Sequence, residues 1–138
     1  KKIIRQNITG EKIEVKPILK PEEIVEARKV VRQVYIDEKI EQYIADIVFA
    51  TRYPDKYNMR EMKDYISFGA SPRASINLAL AARAYAFIKR RGYVIPEDVR
   101  AVAHDVLRHR IGLSYEAEAN NMTADEIVSK ILNSVEVP

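Results

Sequence analysis

The chain has 138 residues, 47% of them hydrophobic and 31% charged, with no cysteine, a formal net charge of +3 and a pI near 9.1. That is ordinary composition for a single soluble domain large enough to bury a core. It excludes a disulfide framework and a thiolate metal site, fits a reducing compartment, and contains no apolar run near the roughly 18 residues that span a membrane.

Residues 1–7 read as the end of a helix that begins upstream and closes near Gly10. The first residue is Lys1 and not Met, which marks a piece of something longer. Residues 11–19 alternate weakly through Ile13 and Val15 before Pro17, so a strand or extended linker is expected there. The first twenty residues hold six basic and two acidic side chains, and the rest of the chain seventeen basic against eighteen acidic. The basic excess therefore belongs to the tail. A neutral body argues against DNA, because a DNA-binding domain carries its excess on the face that meets phosphates.

From Pro21 the pattern turns helical. Pro21, Glu22 and Glu23 open a helix with Ile24, Ala27, Val30 or Val31, and Val34 on one face. Asp37 caps a second, whose apolar stripe is Ile40, Tyr43, Ile44, Ile47 and Val48. A polar loop, "TRYPDKYNM", leads to a shorter segment at residues 60–66. Residues 68–91 then read as a helix with Ser71 at the N-cap and Pro72 at the first helical position. Lys89, Arg90 and Arg91 form its last turn, and Gly92 is its left-handed stop. Its alanines allow close approach of neighbours, while Ile76, Leu80 and Phe87 supply bulk. "GYVI" is a short extended piece. Pro96 starts a helix through Val99, Val102, Val106 and Leu107. Thr123 and Glu126 make a capping box for the last helix, with Ile127, Ile131 and Leu132 inward. The expected fold is all-α, a helical bundle with a short extended N-terminal arm.

Most reactive constellations are missing. The four glycines are scattered, which leaves neither a P-loop nor a dinucleotide fingerprint. His104 and His109, five apart, sit on diverging faces of their helix and do not suit a shared metal. Asp105 and His109 read as an ordinary surface contact. Glu22–Glu23 and Glu97–Asp98 follow helix-opening prolines and read as helix-start signals. Arg73 is the exception. It lies in a helix's first turn, beside unpaired N–H groups, where the dipole disfavours a cation. The ordinary reading is a stem on apolar surface with a surface ion pair. The functional reading is a guanidinium and helix N–H groups converging on a phosphate oxygen.

"GASPRA", residues 69–74, resembles the sensor 2 motif of MoxR-family AAA+ ATPases. "VYIDEKIEQYIADIVFATR", "GASPRASINLALAARAYAFIKRRGYVIPEDV" and "VLRHRIGLSYEAEANNMTADEIVSKIL" resemble successive segments of that family's C-terminal helical lid. Lys20 and Ile95 depart from the family, which often has a capping Ser or Thr before those prolines. The resemblance implies that residues 1–18 end an ATPase core and its linker, and that 19–138 form the lid. It implies a site at Gly69, Ala70, Ser71, Pro72 and Arg73, with Arg73 reporting the terminal phosphate of ATP bound with magnesium. In the "LRHR" cluster it leaves Arg108 and Arg110 as inter-subunit candidates, beside the plainer reading of a solvated basic turn. It also implies a cytoplasmic ring, usually hexameric in the family, that acts like a chaperone in maturing protein complexes. Partners would be the chain's own ATPase core and von Willebrand factor A-domain proteins; the family is named for methanol dehydrogenase regulation. The P-loop, sensor 1 and arginine finger are not in these residues, so the chain alone should be inactive. The competing reading is a non-enzymatic helical module that docks other proteins.

Overall fold

The computed structural model describes residues 1–8 and 16–138, so the expected linker at 11–19 falls mostly outside the described residues. Helix α1 is Lys2–Ile8 and α2 is Pro21–Val31, followed by α3 at Glu38–Arg52. Two short 3-10 turns, Pro54–Tyr57 and Arg60–Lys63, lead to strand β1 at Ile66–Phe68. Then come α4 at Arg73–Ile88, α5 at Pro96–Leu107, β2 at Gly112–Leu113, α6 at Tyr115–Ala119 and α7 at Ala124–Ser134. The architecture is the expected all-α bundle with one addition. β1 pairs antiparallel with β2, Ile66 opposite Leu113 and Phe68 opposite Gly112, with a bulge between. The extended reading of "GYVI" holds locally: Tyr35 N–H donates to the Gly92 carbonyl at 2.9 Å and Val94 N–H to the Tyr35 carbonyl at 3.0 Å.

The core lies among α3, α4, α5 and α7. On α3 the stripe Ile40, Tyr43, Ile44, Ile47 and Val48 is buried as its spacing predicts, and Asp37 caps the helix by accepting from Lys39 N–H at 3.0 Å. The helix runs further than expected and takes Thr51 and Arg52 out of the polar loop. On α4 the buried side chains are Ala74, Leu78, Ala82 and Ala86. Their four-residue spacing makes a narrow seam of small residues, and α5 packs closely against it through Val99, Ala103 and Leu107. Residues two positions from that seam sit about 200° away on the helix, which puts Ile76 and Leu80 outside. They are 60% and 47% exposed, and do not supply core bulk as expected. Each fully buried large side chain, such as Leu78 or Ile127, contributes about 2 kcal/mol.

Helix α2 departs most from its pattern. None of its residues is buried, and Ile24, Val25 and Val30 are all exposed; of the expected face only Val34, beyond the helix, enters the core.

Helix termini explain two further differences. The left-handed residue after α4 is Arg90, with φ 60°, and not Gly92. Arg90 N–H bonds the Phe87 carbonyl at 2.8 Å and Arg91 N–H the Ala86 carbonyl at 2.9 Å, a Schellman closure with its left-handed residue two positions earlier than expected. Arg91 is thereby aimed at Asp98, which is 1% exposed and accepts both guanidinium Nη groups, the Nη1 contact at 2.6 Å. Asp98 also accepts from Ile95 N–H at 3.0 Å, as Glu23 accepts from Lys20 N–H at 2.6 Å. Neither helix start lacks a cap: the acid at the third helical position supplies it.

Candidate functional site

The end of α3 and the start of α4 meet at residues 69–73. Thr51, fully buried, donates its hydroxyl to the Val48 carbonyl at 2.7 Å and accepts from Ala70 N–H at 2.9 Å. Arg52 Nη1 donates to the Ala70 carbonyl at a long 3.4 Å. Both polar backbone groups of Ala70 are thus held by adjacent side chains of one helical turn. Gly69 fits because it has no side chain. A Cβ there would lie 2.4 Å from the Thr51 carbonyl oxygen and 2.7 Å from its carbon.

Beyond this anchor Ser71, Pro72 and Arg73 are exposed. The Ser71 carbonyl accepts from Ala74 N–H at 2.8 Å and the Pro72 carbonyl from Ser75 N–H at 3.1 Å. The helix therefore begins one residue later than the sequence indicates, at Arg73, and no side-chain cap is made: the cap position is Pro72, and Ser71 does not fill the role expected of it. The Ala74 and Ser75 N–H groups of the first turn are thus satisfied by these backbone carbonyls. Among the described residues the Arg73 side chain makes no hydrogen bond and no ion pair. Grooves of about 280 and 310 Å³ flank Arg52, the first bordered also by Lys63 and Gly69, the second by Phe49, Pro72 and Ser75. The arrangement presents cations at the positive end of a helix on a fixed backbone, which suits an anion.

The second candidate cluster is occupied within the chain. Arg108 contacts Asp105 at 3.0 Å and Asp125 at 3.2 Å, tying α5 to α7, with its side chain 47% exposed. Asp105 therefore pairs with Arg108 and not with His109, which is exposed. Arg110 is half-buried, and its Nε has no partner among the described residues. His104 Nε2 lies 2.9 Å from Ser129 Oγ, whose proton goes to the Asp125 carbonyl, so the imidazole donates. This cluster does not adjoin residues 69–73.

A family model described as AAA lid domain matches residues 60–131. The chain belongs to the AAA lid domain family. Over 125 residues the lid is 36% identical to Chaperone MoxR1 of Mycobacterium tuberculosis, covering 91% of this chain and 33% of that protein. Over 105 residues it is 31% identical to Protein MoxR of Methylorubrum extorquens, covering 72% and 30%. A crystal structure of a Cytophaga hutchinsonii protein proposed to be an ATPase superposes with a TM-score of 0.90 at 40% identity, over 99% of this chain and 42% of that chain. The lid is thus a homologue of MoxR-family AAA+ ATPases and spans about a third of the length of the curated relatives it matches.

Two features of the lid escaped sequence reading. Thr51 continues the stripe Ile44, Ile47, Val48 at helical spacing, and that position signals burial even for a hydroxyl. The Arg91–Asp98 pair had no such signal, since it depends on where α4 ends.

Proposed function

We propose that this lid closes over ATP held by an ATPase core in a longer chain, and that Arg73 meets the terminal phosphate. The observation that carries the reading is Arg73 itself. It is an exposed guanidinium without a partner among the described residues, kept in a helix's first turn where a cation is disfavoured unless an anion joins it. Residues 69–72 would present backbone to the nucleotide, and residues 1–18 would end the core and its linker. Magnesium would be held by the core, with ATP between core and lid. Arg73 would act by electrostatic stabilisation of phosphate charge, not by proton transfer.

The wider parts of the reading follow from the relatives. The Mycobacterium tuberculosis homologue carries the name chaperone, which supports remodelling of protein complexes by a cytoplasmic ring, hexameric as in the resemblance, with von Willebrand factor A-domain proteins as partners. In such a ring Arg108 would meet a neighbouring subunit as an ion cluster with Asp105 and Asp125, and Arg110 would lie beside it. The chain on its own would hydrolyse no ATP.

The test is steady-state hydrolysis by the full-length protein. Arg73→Ala should lower kcat by about 10²-fold, as loss of one transition-state donor does. Arg73→Lys should recover part of that, keeping the charge without the planar fork. Wild-type turnover in Arg73→Ala would overturn the reading.

A further inference from the structure

The Arg73 side chain has no hydrogen bond or ion pair among the described residues to hold it, so the backbone that carries it sets its position. That backbone is anchored at Ala70, three residues earlier, and the anchor is mainly one hydroxyl. Thr51 Oγ1 has a single proton, which goes to the Val48 carbonyl, and this leaves its lone pairs for the buried Ala70 N–H. Among the described residues no other acceptor serves that N–H. Gly69 brings the loop against the Thr51 carbonyl, closer than any side chain would permit. The connection onward is short and stiff: Pro72, with φ −55° fixed by its ring, is the residue before Arg73. A shift of Ala70 is therefore passed to Arg73.

We infer that Thr51 is a positioning residue for Arg73, setting through the Thr51–Ala70 hydrogen bond where the guanidinium meets phosphate. The inference rests on the phosphate reading above. A misplacement of about 1 Å at a reacting centre is enough to lose on the order of 10²-fold in rate. Replacing the hydroxyl by an isosteric methyl leaves the Ala70 N–H buried and unpaired, which the loop escapes by moving.

The experiment is a double-mutant cycle on ATP hydrolysis by the full-length protein. Thr51→Val should lower kcat by at least about tenfold with little change in KM. Thr51→Ser, which keeps the hydroxyl, should stay within about threefold of wild type. On an Arg73→Ala background, adding Thr51→Val should change the rate by less than about twofold, because the group it positions is gone. Should Thr51→Val not fold, Gly69→Ala displaces the same loop with every polar group retained and is read in the same cycle. Wild-type kcat in Thr51→Val overturns the inference, as does an equal fold-loss with and without Arg73, which would mean that Thr51 serves only the fold. An Arg73→Ala enzyme at wild-type rate overturns the phosphate reading and this inference together. An impaired Arg73→Ala beside an unaffected Thr51→Val overturns this inference alone.

Discussion

At residue scale the structure sets an exposed Arg73, unpaired among the described residues, against a half-buried, doubly bonded Arg91. The two arginines bound the same segment, yet only Arg91 has an ion-pair partner among the described residues. Their predicted behaviour differs accordingly. Arg73→Ala in the isolated chain should be neutral or stabilising by about 0.3–1 kcal/mol, because a cation leaves a positive helix end and alanine is the better helix former. Thermal melting measures this, and a loss above about 1 kcal/mol would mean that Arg73 supports the fold. Sequence alone identified Arg73 because its conflict is local: a charge in a first turn is visible in the letters. Thr51 was read as the first residue of a polar loop, although its spacing from Ile44, Ile47 and Val48 fits a buried helical position. That its hydroxyl meets Ala70, 19 residues on, depends on how α4 enters against α3, and no local pattern encodes that. The stop of α4 shows the opposite error. Gly92 is the residue that tolerates a left-handed backbone most easily, but the chain turns at Arg90, where the Arg91–Asp98 pair offsets the strain.

At the scale of elements, capping and burial separate what can be read from what cannot. Thr123 and Glu126 formed a capping box in the sequence and form one in the structure. Glu126 accepts from Thr123 N–H at 2.7 Å and from its hydroxyl at 2.8 Å. These bonds, the backbone one foremost, hold the Glu126 carboxyl below its ordinary value of 4.5. A depressed folded pKa means stability that is present above the unfolded value and lost as pH falls through the folded one. Wild type should therefore exceed Glu126→Gln in melting temperature near neutrality, and the gap should close as pH drops below about 4.5. A gap independent of pH would show that the carboxylate charge is not what caps α7. Helix α2 was equally clear as a pattern and equally present as a helix, but none of its apolar residues is buried among the described residues. Periodicity reports which face is apolar, not what meets it. An 11-residue helix without buried residues is marginal in water. Its amides should exchange fast in the isolated chain while those of α3 and α4 exchange slowly. Core-level protection of α2 in a proven monomer would contradict this.

For the whole molecule, the bundle was legible because its helices announce themselves through prolines, caps and spacing, and because ordered motifs resembled one family's lid. The small β1–β2 sheet was not, since three residues against two give no period to detect. The account of function turns on whether Arg73 distinguishes a nucleotide with a terminal phosphate from one without. Equilibrium binding of ADP and of a non-hydrolysable ATP analogue to the full-length protein, with and without Arg73→Ala, measures that directly. The account predicts that wild type favours the triphosphate and that Arg73→Ala erases roughly tenfold of that preference, about the worth of one charge-assisted hydrogen bond, while ADP affinity changes little. An unchanged preference for the triphosphate in Arg73→Ala would contradict it.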